Sequence, residues 1–225
     1  MKKTVSYWLI SFALIISVVF LAIEIWAFNP SFYRYEFKNN KIADELNIED
    51  SELDNANANL LNYIRGIDEK LDYQIIIDGK NEQFFNQKDI LHMEDVRQLY
   101  LNFKIVGYMA ILISVIAIIY NLFNHQNIIE FYYSFKRVLL LIGAAVFACL
   151  FMMTIDFESF WYNIHFLFFD NLLWIISPLE SRLIIMMNQN LFNDLVLLIV
   201  FSIIILLSVL FYILRFIVKR KENIL

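Results

Sequence analysis

Four long apolar runs divide the 225-residue chain, at residues 8–28, 105–123, 138–155 and 195–218. About 20 helical residues cross the roughly 30 Å hydrocarbon core of a bilayer, so each run is long enough to span it as a helix. The first run follows Lys2 and Lys3, and basic residues before an apolar region are also typical of a signal peptide. The run is, however, longer than the apolar region of a signal peptide, which is usually about 7–15 residues. We therefore expect a retained anchor and a mainly α-helical, polytopic membrane protein of one domain.

Basic residues near the ends of the runs predict the orientation. Lysines precede the first run, and lysine and arginine together close the short connection before 138–155 and follow the fourth run. Because cytoplasmic loops carry the excess of Lys and Arg, both termini are predicted to be cytoplasmic and segments 29–102 and 156–194 to be extracytoplasmic. Segment 29–102 has 15 acidic and 8 basic residues, a net charge of −7, which argues against a nucleic-acid partner.

The segment 29–102 carries the pattern of a small α+β subdomain. In "NIEDSELDNANANLLNYIRG", Leu53, Asn57 and Leu60 share one helical face, and Gly66 is a helix stop. "YQIIIDGKNEQFF" predicts a hairpin with its turn at 78–79, since Asp-Gly suits a type I′ turn. A further helix is predicted to begin near Lys88 and to run into the second span.

The segment 156–194 is nearly as apolar as the spans, but it is interrupted by Asp170, Pro178, Glu180 and Arg182. Its pieces are too short to cross a bilayer separately. An irregular backbone at membrane depth needs protection by protein. We therefore expect a segment that lies in the interface or re-enters the membrane.

His92 lies in "DILHMEDVRQLY", between Asp89 at i−3 and Asp95 at i+3, where a carboxylate can orient one ring nitrogen. The simpler alternative is a solvated, charged helix face. If the helix is continuous, His92 lies about 18 Å before Lys104 along its axis. His92 then stands either well above the bilayer or, if Lys104 snorkels, at headgroup depth.

Other polar residues are candidates for the same outer region. His165 and Trp174 belong either to a site or to an interfacial aromatic belt. Glu24 lies within the first span near its outer end, where a carboxylate faces the bundle interior or reaches water. Arg97 and Arg182 are cations suited to phosphate or carboxylate groups, or ordinary ion-pair partners.

Several kinds of site are absent from the sequence. There is no Gly-rich phosphate loop, no G-x-S-x-G, no H-E-x-x-H and no cysteine pair, since Cys149 is alone and is expected to be a buried apolar residue. The third histidine, His125, is on the predicted cytoplasmic side. No two histidines lie at ligand spacing, so no metal is expected. Histidine acid–base chemistry at the outer interface remains open.

The stretches "FFNQKDILHMEDVRQLY" and "IHFLFFDNLLWIISPLESRLIIMMNQNLF" resemble the bacterial lipoprotein intramolecular transacylase (Lit) family of integral membrane proteins. The likeness extends to the four-span layout and to "LLNYIRG". Two departures are Ser181, where an acidic residue is expected, and Asn188, where proline is expected. The most specific matches are His92, Met93, Asp95, Val96, His165, Phe168, Phe169 and Trp174.

The resemblance implies a reaction without cofactor. Family members move the sn-2 acyl chain of a diacylglyceryl-modified lipoprotein cysteine onto that cysteine's α-amino group. By this resemblance His92 is the general base with Asp95 fixing its tautomer, and His165 stabilises the oxyanion or acts as acid, although the two histidine roles are interchangeable. Arg97 pairs with Asp95 or a lipid group, while Trp174 and Glu24 orient or bind substrate.

The implied partners are diacylglyceryl-modified lipoproteins and membrane lipid, for a monomeric enzyme of the bacterial cell membrane whose active site faces outward. One alternative is a metal-dependent membrane hydrolase that uses the same histidines. Another is a non-enzymatic membrane sensor or assembly protein.

Overall fold

A computed structural model describes residues 2–77, 79–123 and 125–222, and in these residues it is a helical chain with one small sheet. The elements, in chain order, are α1 (Lys2–Ala27), α2 (Pro30–Asn39), α3 (Ile42–Leu46), α4 (Asp50–Arg65), β1 (Gln74–Ile77), β2 (Lys80–Gln83), α5 (Gln87–Phe123), α6 (His125–Ile155), α7 (Phe157–Phe168), α8 (Arg182–Met186) and α9 (Gln189–Glu222).

The chain forms two compact units. The first unit contains Met1–Ile23, Lys104–Tyr162 and Ile199–Leu225, and the second contains Glu24–Phe103 and Asn163–Leu198. All four boundaries between the units fall inside helices, namely α1, α5, α7 and α9, so the division does not follow the ends of secondary structure.

Among the described helices, four are long and apolar enough to cross a membrane, namely α1, α5, α6 and α9. Each contains one of the four predicted runs, apart from the last residue of the first run. The helices extend beyond the runs because few glycines and prolines interrupt the sequence. At the end of α1 the chain does turn, since Asn29 caps α2 and Pro30 occupies the first turn of α2, where its missing N–H costs nothing.

Close packing of α1 against α5 characterises the first unit. The ring of Phe20 meets that of Tyr108 edge to face at 5.2 Å, and the hydroxyls of Ser17 and Ser114 are 3.2 Å apart. Gly107 gives Phe20 room to pack, because a Cβ at this position would lie 2.3 Å from Phe20 Cγ. Small residues at helix contacts are typical of membrane bundles. Cys149, expected to be buried, is exposed on the chain surface.

The second unit confirms the predicted short elements. In α4 the side chains of Leu53, Asn57 and Leu60 are buried, and Gly66 ends the helix at φ +78°. Strands β1 and β2 pair antiparallel with Ile77 opposite Lys80, as the hairpin prediction requires. The predicted turn residue Asp78 and the side chain of His125 lie outside the described residues.

Helices α2 and α3 were not predicted. They supply buried aromatic and aliphatic residues to the second unit, including Phe32, Phe37 and Ile42. The left-handed residues Lys41 and Asn47 border α3, and such short turns leave little periodicity in the sequence.

The segment 156–194 folds as α7, an irregular stretch at 169–181, α8 and the first turns of α9. Local polar side chains satisfy part of the irregular backbone: Asn171 Oδ1 accepts a hydrogen bond from the Leu173 N–H, and Ser177 Oγ from the Leu179 N–H. The interrupted apolar pattern therefore corresponds to a real break in the helices.

Candidate functional site

The site begins with the cap of α5. The Asn86 side chain accepts a hydrogen bond from the Asp89 N–H, and the Asp89 carboxylate accepts one from the Asn86 N–H, both at 2.9 Å. This reciprocal pair is a capping box with Asp at its fourth position. It satisfies two backbone N–H groups that have no partner within the helix, and His92 follows between one and two turns after the start of α5.

The same turn of α5 holds the irregular stretch 169–181. The Ser181 hydroxyl donates to the other oxygen of Asp89 at 2.6 Å, with Asp89 fully buried and Ser181 3% exposed. Asn86 Nδ2 donates to the Glu180 carbonyl at 2.8 Å, and Lys88 Nζ donates to the Ile175 carbonyl. These bonds join residues about 90 positions apart in sequence.

Arg182 adds a further tie between the hairpin and this segment. Its guanidinium donates to the Gln83 carbonyl at 3.0 Å and forms a salt bridge with Glu82. The sequence left open whether Arg182 binds a ligand or forms an ordinary ion pair, and in the structure it forms an ion pair with Glu82.

His92 and His165 come together. Their ring centroids are 6.0 Å apart, with an interplanar angle of 36°. His92 is only 7% exposed, whereas His165 is partly exposed near the end of α7. His92 Nδ1 is buried and has no hydrogen-bond partner among the described residues. Hydrogen-bonded heavy atoms lie about 3 Å apart, so one small reacting group fits within reach of both rings.

Aromatic rings enclose the histidine pair. Phe169 lies 5.4 Å from His92 and 5.7 Å from His165, and Trp174 lies 4.9 Å from His165. Phe166 meets Trp174 edge to face at 5.1 Å. His92 thus sits in buried, largely apolar surroundings, where electrostatic interactions are stronger than in water, whereas His165 stays partly exposed beside the same rings.

The expected bond between Asp95 and His92 is absent from the part of the chain that the structure describes. Asp95 Oδ2 instead accepts a hydrogen bond from Asn171 Nδ2 at 2.8 Å. The i+3 spacing brings Asp95 to the face of His92 but does not aim its carboxylate at the ring.

Arg97 likewise has partners other than Asp95. Its guanidinium donates to the Asp68 carbonyl at 2.7 Å and lies 4.5 Å from the centre of the Tyr63 ring. Backbone carbonyls and an aromatic face are typical partners of a planar guanidinium in a structural role. Arg97 therefore anchors α5 to the chain that follows α4.

Glu24 belongs to a separate polar group. Its carboxylate accepts a hydrogen bond from the Tyr100 hydroxyl and lies 3.4 Å from Arg65 Nη2. Glu24 thus contacts polar side chains of the protein near the end of α1. The contacts of Glu24 join α1, α4 and α5, and they do not include either histidine.

Sequence reasoning missed three residues that shape the site. Asp89 was read as a possible partner of His92, Ser181 only as a departure from a family pattern, and Asn171 was not singled out. The Asn86-x-x-Asp89 spacing is a capping signal that a search for Ser or Thr caps passes over. Nothing in the sequence pairs Ser181 with Asp89 or Asn171 with Asp95.

The described residues contain no grouping of side chains that suits a metal ion. Within residues 2–77, 79–123 and 125–222, no three His, Cys, Asp or Glu side chains are grouped closely enough to hold a metal ion. What the arrangement offers chemically is a pair of imidazoles, one buried and one partly exposed, able to exchange protons with a group held between them.

Comparison with known proteins gives a family and a fold. The family described as lipoprotein intramolecular transacylase Lit matches residues 8–192. The in meso structure of the membrane integral lipoprotein intramolecular transacylase Lit from Bacillus cereus superposes with a TM-score of 0.82 at 20% identity, covering 100% of this chain and 99% of that one.

Two variant structures of the Bacillus cereus protein are also similar. One, with a histidine-to-alanine mutation, has a TM-score of 0.77 at 19% identity and covers 99% of this chain and 96% of that one. The other, with a histidine-to-arginine mutation, has a TM-score of 0.76 at 20% identity and covers 100% and 95%. A comparison with curated protein sequences found no match.

Proposed function

Because the chain belongs to the lipoprotein intramolecular transacylase (Lit) family of integral membrane proteins, we propose that it transfers an acyl chain within a lipoprotein. Its substrate is a diacylglyceryl-modified amino-terminal cysteine, and the chain that moves is the sn-2 acyl group. The acceptor is the α-amino group of the same cysteine. The observation that carries the proposal is the buried His92 beside His165 at 6.0 Å.

The reaction needs proton transfers and no added reactant. The α-amine nitrogen attacks the sn-2 ester carbonyl, the N–C bond forms, and the resulting tetrahedral carbon carries an oxyanion. The C–O bond to glycerol then breaks, and the proton lost from nitrogen ends on the glycerol oxygen. Since an amide replaces an ester, the exchange is downhill and requires no ATP.

Two histidines meet these demands. His92 accepts the proton of the attacking amine, whose reference pKa is about 7.7–8.0, so a neutral imidazole suffices as base. Its buried Nδ1 has no hydrogen-bond partner among the described residues, so no protein group competes for this nitrogen there. His165, which is more exposed, donates a hydrogen bond to the oxyanion and delivers a proton to the leaving glycerol oxygen.

Donor and acceptor belong to one molecule, so orientation supplies much of the rate. Effective molarities of well-oriented intramolecular reactions reach about 10⁵–10⁸ M. The apolar rings of Phe169 and Trp174 favour acyl chains over water beside the histidines. Exclusion of water protects the ester from hydrolysis, which distinguishes a transacylase from a lipase.

The site faces the extracytoplasmic side in this proposal, with both termini in the cytoplasm. The distribution of lysine and arginine along the sequence supports this orientation. A lipoprotein anchored in the outer leaflet then presents its modified cysteine at the depth of the histidine pair, and the enzyme works as a monomer in contact with membrane lipid.

Tandem mass spectrometry of a diacylglyceryl lipopeptide incubated with the purified protein tests the proposal. We expect unchanged total mass and one acyl chain relocated from glycerol to nitrogen. His92→Gln is expected to slow this transfer by at least about 10²-fold, the usual contribution of a positioned general base. Gln98→Ala, at an exposed position of the same helix, is the matched control and should retain full activity.

The roles of the two histidines are separated by pH profiles. Loss of the base removes the acidic limb of the kcat profile, so His92→Gln should abolish that limb and His165→Gln should retain it. If instead His165→Gln abolishes the acidic limb and His92→Gln retains it, then His165 is the base and His92 stabilises the oxyanion.

Other products contradict the proposal. Release of free fatty acid, with loss of one acyl mass, indicates a lipase. Stoichiometric zinc together with activity lost on chelation indicates a metal-dependent hydrolase. A biological function that survives His92→Gln and His165→Gln indicates a sensor or assembly role.

A further inference from the structure

Asn171 connects the surroundings of one histidine to those of the other. With described residues it makes three hydrogen bonds. Its Nδ2 donates to Asp95 Oδ2 at 2.8 Å, its Oδ1 accepts from the Leu173 N–H at 2.9 Å, and its carbonyl accepts from Trp174 Nε1 at 2.8 Å. Both ends of the side-chain amide and the backbone carbonyl are therefore in use.

The two ends of this connection lie next to the two histidines. Asp95 is three residues after His92 in α5, on the same helical face. Trp174 is 9% exposed and packs against His165 with 4.9 Å between ring centroids. A displacement of Asn171 therefore moves the support of His165 relative to the helix that carries His92.

The partner of the Asp95 carboxylate decides how Asp95 acts. A carboxylate that fixes the tautomer of a catalytic histidine hydrogen-bonds its ring nitrogen. In the described residues the carboxylate of Asp95 is engaged with Asn171 and not with His92. The buried His92 Nδ1 has no partner there.

We propose that Asp95 and Asn171 form a positioning pair that sets the separation of His92 and His165, and that Asp95 does not act as a proton relay or tautomer-fixing acid for His92. The inference rests on the proposed function, because it assigns the two histidines to one reaction. In this proposal the hydrogen-bond geometry between Asp95 and Asn171, and not the negative charge of Asp95, sets the rate.

Three variants, built from two substitutions, separate the effect of geometry from the effect of charge. Asp95→Asn keeps an oxygen that accepts the hydrogen bond from Asn171, so the pair persists without its charge. Asn171→Asp places two carboxylates at the 2.8 Å contact and breaks it by repulsion. The double variant Asp95→Asn with Asn171→Asp restores one donor and one acceptor, in reversed order.

The expected rates follow from this geometry. Asp95→Asn should lower kcat only a few-fold, because a neutral hydrogen bond is about half as strong as a charge-assisted one. Asn171→Asp should lower kcat by about 10²-fold, the cost of a displacement near 1 Å at a reacting centre. The double variant should recover most of that loss, with KM little changed throughout.

The result that overturns the proposal is equally specific. If Asp95 acts on His92, then Asp95→Asn should be severe, as wrong-tautomer variants of catalytic triads are, at about 10⁴-fold. It should also alter the acidic limb of the kcat profile, and the double variant should be no better than either single variant. That combination rejects the positioning role.

A measurement that does not depend on enzyme activity distinguishes failure of the positioning pair from failure of the proposed function. Trp174 in protein labelled with 5-fluorotryptophan has a ¹⁹F resonance that Trp174→Phe identifies. We expect Asn171→Asp to shift this resonance and the double variant to return it to its original position. An unshifted resonance in Asn171→Asp overturns the positioning pair, whichever product the wild-type enzyme makes.

Discussion

Ser181→Ala removes the hydroxyl that joins the irregular stretch 169–181 to the first turn of α5. Ser181 Oγ donates to the buried Asp89 carboxylate at 2.6 Å and accepts from the Ile184 N–H at 3.3 Å as the cap of α8. After the substitution one oxygen of a fully buried carboxylate faces a methyl group. The remaining bond to Asp89 comes from the Asn86 N–H.

The magnitude follows from these two bonds. A hydrogen bond to a charged group contributes about 1.5–3 kcal/mol to stability. An N-cap contributes about 0.5–2 kcal/mol, and α8 is only five residues long, so the lower end applies. Together we expect Ser181→Ala to lower the free energy of unfolding by about 2–4 kcal/mol.

Unfolding by sodium dodecyl sulfate titration in detergent micelles measures this loss, and Ser177→Ala is the control. Ser177 lies in the same stretch, is partly exposed, and accepts one local hydrogen bond from the Leu179 N–H. We expect the control to cost about 0.5 kcal/mol or less, as surface substitutions do. Equal losses in the two variants refute the claim that the Asp89 contact stabilises this segment.

Two further predictions concern packing and pH. In a thermal unfolding assay, Gly107→Ala should destabilise the protein by about 1–3 kcal/mol, because the new Cβ lies 2.3 Å from Phe20 Cγ. Gly143→Ala is the control, because the space at its Cβ is open, and it should leave stability unchanged or raise it. Equal effects of the two substitutions would contradict the close packing of Gly107 against Phe20. Burial raises the pKa of Glu36 above its ordinary 4.5; the nearby Asp194 carboxylate adds to this shift and the hydrogen bond from Asn40 opposes it. Because the folded state favours the protonated carboxyl, the protein loses stability as the pH rises from 4.5 through the raised pKa of Glu36. Glu36→Gln should therefore raise the unfolding temperature at pH 7 and have a smaller effect at pH 4. The control Glu45→Gln, at an exposed position, should have the same small effect at both pH values. An effect of Glu36→Gln that does not depend on pH would refute this explanation.

Local pattern was sufficient to predict the four long helices, α4 and the hairpin. Twenty consecutive apolar residues have few alternatives to a spanning helix, because backbone groups in hydrocarbon must bond within the segment. Asp78–Gly79 between two β-rich stretches and Gly66 at the end of α4 are likewise signals within a few residues. Helices α2 and α3 lacked such signals and were missed.

The histidine pair was predicted only in part. The motifs around His92 and His165 indicated both residues, but their 6.0 Å separation joins positions 73 residues apart and depends on how α7 ends beside α5. The sequence also placed Cys149 inside the protein, whereas the structure leaves it on the surface. Apolar character marks a residue for burial in lipid or protein, and it does not distinguish between them.

The sequence by itself determined the four long helices, α4, the hairpin and the two histidines of the site, because periodicity and turn chemistry act over a few residues. Tertiary structure alone decided the long-range partners of Asp89 and Asp95. Helical spacing puts Asp89 and Asp95 on the face of His92, yet Asp89 bonds to Ser181 and Asp95 to Asn171. A carboxylate takes the donor that folding brings within about 3 Å, and the donors of Ser181 and Asn171 come from a segment far away in sequence.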